Sequence, residues 1–142
     1  MTKHIIVGVD DSATAAHAAE VAADLAQRLG AVLHVLTAAE EKESERVGVG
    51  TDTITISTYD EALAVATNVA DSLTRDGLEI EVHCTARYGR PHEALIDEAK
   101  RHPDALIVVG NRRMQGAGRI LGSVANSVAH HAPCDVYVVK TT

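Results

Sequence analysis

Apolar residues along this chain follow two alternating patterns. One is a short unbroken run, the mark of a strand buried on both faces. The other recurs every three to four residues, the mark of an amphipathic helix. Ile5, Ile6, Val7 and Val9 predict a first strand over 3–9. Asp10-Asp11-Ser12 closes it, and Asp11 or Ser12 can cap a helix on which Ala18, Val21, Ala22, Leu25 and Leu29 share a face. Gly30 supplies the stop, and a second apolar strand covers 31–37.

Residues 39–57 change character. A charge run from Glu40 to Arg46, then Gly48, Gly50 and a threonine-rich tract, reads as a long exposed excursion, within which Thr53-Ile54-Thr55-Ile56 alternates as a short strand would. Thr58-Tyr59-Asp60-Glu61 has capping-box spacing and opens a second helix carrying Ala62, Val65, Ala66, Val69 and Leu73, which stops at Gly77. A third strand over 78–85 alternates Ile80, Val82 and Cys84. Gly89-Arg90-Pro91 turns into a third helix with Ala94, Leu95 and Ala99 on its buried stripe, ended by His102-Pro103. A fourth strand covers 104–110, a last helix ends near His130-His131, and a fifth strand covers 134–140.

Strands that alternate with helices imply an α/β fold: a doubly wound, five-stranded parallel sheet with helices on both faces and right-handed crossovers. Ligands of such sheets bind beyond the carboxyl ends of the strands, where strand order reverses. Two turns qualify, Asp10 after the first strand and Gly110 onward after the fourth. They line one crevice if those strands are neighbours.

The second of these turns carries the densest chemistry. From 106 to 124 the chain reads as strand, glycine-studded basic loop and helix N-terminus, with Arg112, Arg113 and Arg119 in the loop and Gly122-Ser123 at its end. Glycines let backbone N–H groups approach a ligand, and a helix N-terminus attracts anions, phosphate above all. Ser123 can cap the helix or donate its hydroxyl to a phosphate oxygen. The same composition also fits a solvated loop with an ordinary serine cap. Neither the Walker loop nor the dinucleotide fingerprint is present: no lysine precedes Ser123, and the loop follows the fourth strand. Asp10 likewise can serve a ligand or simply cap the first helix.

Composition narrows the classes. With 142 residues the chain is expected to form one domain, 1–142, around an aliphatic core, since it has no Trp and no Phe. A net charge of −7 and the lack of aromatic platforms oppose a nucleic-acid partner. Apolar runs are too short for a bilayer, the N-terminus reads as a strand, and two cysteines without a framework suit a cytoplasmic protein. His130 and His131, adjacent on a helix, do not share a face and give no metal site; no nucleophile–base pair is placed together, so no catalytic residue is assigned.

These residues resemble the universal stress protein family over essentially the whole chain. Ile6-Val7-Gly8-Val9-Asp10-Asp11-Ser12 is similar to that family's V-G-x-D-x-S opening. Gly89-Arg90-Pro91 is similar to its turn before the third helix, and Gly110 to Val124 with His131 to Val136 to its signature loop and closing strand. The resemblance implies a Rossmann-like sheet in the order 3-2-1-4-5, a homodimer and, in one branch, bound ATP with the pattern G-x2-G-x9-G-(S/T). Here Arg113 stands where the second glycine is expected, and only eight residues, Met114 to Leu121, separate it from Gly122.

By that resemblance Asp10 receives adenine or ribose groups with Gly8 on the same wall, and Val35 offers its backbone to the adenine edge. Val109 and Gly110 underlie the ribose, while Arg112, Arg113, Gly122, Ser123 and Val124 surround the triphosphate and its Mg²⁺. In the implied order Cys84 and Cys134 fall on opposite edge strands, about 19 Å apart at ~4.8 Å per step, too far for a disulfide. Strand five, 135–140, is apolar and lies at an edge, which invites pairing with a second copy. Three functions are in view. One is a dimeric stress-response or signalling module that binds ATP. The others are a nucleotide-free dimer acting by interaction alone, and an enzyme of this fold such as a slow ATPase or adenylyl transferase.

Overall fold

In the computed structural model, which describes residues 1–39, 53–75, 77–111 and 122–141, the chain alternates strand and helix along its length. The elements are β1 (His4–Gly8), α1 (Ala13–Leu29), β2 (Val32–Ala39), α2 (Thr53–Thr74), β3 (Val82–Tyr88), α3 (Pro91–Lys100), β4 (Ala105–Gly110), α4 (Ser123–His131) and β5 (Asp135–Val139). The strands form one parallel sheet in the order β3-β2-β1-β4-β5, the expected order.

The unbroken apolar run of β1 has its cause in the two packed faces. Ile5 and Val7 point to one side, into a core with Ala18, Ala22 and Ala26 of α1 and Ala66, Ala70 and Leu73 of α2. Ile6 points to the other, into a core with Ala94, Leu95 and Ala99 of α3 and Ala125 and Val128 of α4. Ile5, Ile6 and Val7 are all fully buried. The buried stripe of α1 is all alanine, so its backbone approaches the sheet closely.

The turns are built as the local sequence dictates. Ser12 is the N-cap of α1, its Oγ accepting from Ala15 N–H at 3.2 Å. Gly30 ends that helix in the left-handed region, φ 66°, and its N–H reaches the Ala26 carbonyl. Pro91 opens α3, and Glu93 Oε1 accepts the Arg90 N–H at 3.0 Å.

Three expectations are corrected. Thr53-Ile54-Thr55-Ile56 is the first turn of α2, not a strand, and the capping-box pattern at Thr58 lies inside that helix. Thr58 belongs to one i, i+4 row with Ala62, Ala66 and Ala70, so it lies on the helix rather than at its cap, and β-branched preference is a weak local signal against a continuing helix. The third strand begins at Val82 rather than Leu78, because β2 continues to Ala39 and its ladder pairs Leu33 with Val82 through Ala39 with Tyr88. The charge run 40–46 lies outside the described residues. Cys84 and Cys134 are free and half-buried, in different cores, and burial pushes both thiols up.

Candidate functional site

β1 and β4 are hydrogen-bonded neighbours, so the turns that follow them open on the same crevice. It is a cavity of about 310 Å³ beyond the carboxyl ends of β1, β2 and β4. Gly8 and Asp10 line it from the end of β1, Val109 and Gly110 from β4, and Gly122, Ser123 and Val124 from the start of α4. Leu36, Thr37 and Ala38 of β2 and Pro91 and Leu95 of α3 complete the wall.

Asp10 is not the cap of α1, which is Ser12; it braces the turn before that helix. Its Oδ1 accepts the Ser12 N–H at 2.8 Å and so holds the turn into α1, while the residue itself faces the cavity. On the far side the N-cap of α4 is Gly122, with φ −58° and ψ 157°, and Ser123 is the first helical residue. The capping reading of Ser123 is therefore corrected. A glycine at the cap offers no side-chain acceptor, so the cap position leaves the first-turn N–H groups unserved by a side chain of its own. That end of α4 carries the positive pole of the helix dipole into the crevice.

The exit of β4 is pinned. Asn111, 3 % exposed, donates its N–H to the Val139 carbonyl at 2.8 Å, and its Oδ1 accepts from Thr141 N–H at 2.7 Å and Thr141 Oγ1 at 2.9 Å. The loop that carries Arg112, Arg113 and Arg119 thus departs from a fixed point; those three residues lie outside the described residues.

Val35 is not in the cavity wall. It is fully buried in the core beneath α1 and α2, opposite Val7 and two residues short of Thr37, so it lies below the carboxyl end of the strand where the cavity opens. Its neighbours Leu36, Thr37 and Ala38 line the cavity instead, and Leu36 stands opposite Gly8 in the ladder. Thr37 went unmarked on sequence, where it reads only as the end of a strand. It is 7 % exposed, and its hydroxyl has no hydrogen-bond partner among the described residues. Buried hydroxyls are normally paired, so an orphan on a cavity wall points to a missing partner.

A doubly wound parallel sheet with a ligand-sized crevice at its switch point is the class these features define. The chain belongs to the universal stress protein family, whose model matches residues 1–140. Universal stress protein Slr1101 of Synechocystis sp. is 40 % identical over 70 residues, a stretch that spans 47 % of this chain and 65 % of that relative. A universal stress protein solved in complex with cAMP is similar at 26 % identity and a TM-score of 0.72, covering 99 % of this chain and 98 % of its own. The universal stress protein of Archaeoglobus fulgidus solved in complex with dAMP is similar at 26 % identity and a TM-score of 0.64, with the same coverage. Among the described residues no helix is long and apolar enough to cross a membrane.

Proposed function

We propose that this protein is a cytoplasmic, dimeric universal stress protein that binds an adenine nucleotide, ATP with Mg²⁺, in the crevice between β1 and β4. The observation that carries the reading is the convergence of Asp10 and the glycine-capped N-terminus of α4 on one cavity. A carboxylate accepts hydrogen bonds from ribose hydroxyls or an adenine amino group, and helix N–H groups receive phosphate. Thr37, on the β2 side of the cavity, adds a hydroxyl with no partner among the described residues. The cAMP and dAMP complexes of similar chains support an adenine-type ligand. The triphosphate charge calls for a hard cation, which the phosphate oxygens would hold. Occupancy of the crevice would alter the segment 111–121, and through it act on a partner.

A second reading, a nucleotide-free dimer acting by interaction, is favoured by one observation: Arg113 replaces the second glycine of the ATP-branch pattern. Calorimetry of the purified chain with ATP and Mg²⁺ separates the two. The expected result is one nucleotide per chain, with affinity reduced roughly tenfold by Ser123→Ala and by Asp10→Ala, the value of one charge-assisted hydrogen bond. No heat and no thermal shift at millimolar ATP would sink the first reading.

A further inference from the structure

At the opposite end of the sheet, three segments far apart in sequence bring histidines together. His4 opens β1, His34 lies within β2, and His102 follows α3. The β1–β2 ladder pairs His4 with Val32 and Ile6 with His34, so His4 and His34 stand diagonally on one face, the side packed by α3. One ring nitrogen from each of His4, His34 and His102 lies within 4.8 Å of the other two. His4 Nδ1 and His34 Nε2 are 3.0 Å apart. His34 is buried, while His4 and His102 are half-buried, so solvent reaches the group from one side.

Behind the cluster sits a buried carboxylate. Glu98, 5 % exposed, accepts from His102 Nε2 at 2.7 Å through Oε2 and from Arg87 Nε at 2.7 Å through Oε1. A carboxylate so placed accepts the Nε2–H of His102, the arrangement that would leave the ring's Nδ1 lone pair to bind. Carboxylate, histidine and metal in line is the recurrent way a ligating imidazole is oriented.

We propose that His4, His34 and His102 form a binding site for a divalent transition-metal ion, zinc being the class it suits best. Three imidazole nitrogens with an open fourth position are a zinc ligand set. At zinc–nitrogen distances of roughly 2.0–2.1 Å, tetrahedral ligands stand about 3.3 Å apart, close to the present His4–His34 separation. The His102 ring now stacks on its partners, with centroids 4.6 Å from His4 and 4.2 Å from His34. Ligation requires it to turn so that its lone pair points at the same centre, which a half-buried ring permits. The proton of the hydrogen bond between His4 Nδ1 and His34 Nε2 leaves that line when both nitrogens ligate. The ion would tie β1 and β2 to the end of α3, with no part of the nucleotide crevice involved.

Titration of the tag-free full chain with zinc sulfate, followed by calorimetry and in parallel by the visible spectrum of the cobalt(II) adduct, tests this without nucleotide present. The expected result is one ion per chain and the intense absorption of four-coordinate cobalt. His4→Gln and His102→Gln each remove binding, Glu98→Gln weakens it roughly 10–100-fold, and His130→Gln with His131→Gln leaves it intact. Absence of stoichiometric binding, or binding that survives His4→Gln and His102→Gln, overturns the site. If those variants fail to fold by circular dichroism, the imidazole NMR signals of the unaltered protein decide. Zinc must shift His34 and His102, and unshifted signals overturn the proposal.

Discussion

Thr37 shows most plainly how a single residue separates stability from binding. Its hydroxyl is buried without a partner among the described residues, a condition that costs a protein of the order of 1–3 kcal/mol. Thr37→Val keeps the shape and removes the orphan. The expected outcome in urea unfolding is a gain of roughly 1 kcal/mol, together with weaker nucleotide binding in calorimetry. A loss of stability would show that the hydroxyl is already engaged within the fold. Asp10 behaves differently, because its Oδ1 also supports the turn at Ser12. Asp10→Ala should therefore reduce both stability and affinity, and the two readouts together distinguish it from Thr37.

At the scale of elements, what could be read from the chain was whatever is decided locally. The end of α1 is an example: Gly30 adopts φ 66°, and a Cβ there would meet nothing within 4 Å, so the only obstacle to a side chain is the backbone itself. Gly30→Ala is expected to cost about 1 kcal/mol and lower the Tm by a few degrees in a thermal melt, with no change in binding. The first residues of α2 failed for the converse reason. Their β-branched alternation and the Thr58 cap pattern are local signals, and the helix that buries Ala62, Ala66 and Ala70 overrode both. How far each β2 residue lies from the strand end was not legible either: only the ladder, with Val35 opposite Val7 and Leu36 opposite Gly8, shows that the cavity begins at Leu36.

On the scale of the whole molecule, the crevice lies at the carboxyl ends of the strands, the three histidines lie towards the amino ends, and β3 and β5 are the edges of the sheet. The convergence of Asp10 with Ser123 was legible because each follows a strand end, and alternation alone suggests where strand ends meet ligands. The cluster of His4, His34 and His102 was not, since it depends on strand register and on where α3 stops. Among the described residues β5 pairs only with β4, and Tyr137 on it is 45 % exposed. An edge of this kind is where a second copy would add, and Tyr137→Glu places a charge on it. Light scattering should find a dimer for the unaltered chain and a monomer for Tyr137→Glu; equal masses would remove β5 from the interface. The central claim, a nucleotide in the crevice between β1 and β4, is tested most directly by mapping backbone amide NMR shifts as ATP and Mg²⁺ are added. The account predicts that the largest shifts fall on Gly8 to Asp10, Gly110 and Gly122 to Ala125, while His4 and His102 stay in place. Shifts scattered over the surface, or centred on the amino ends of the strands, would contradict it.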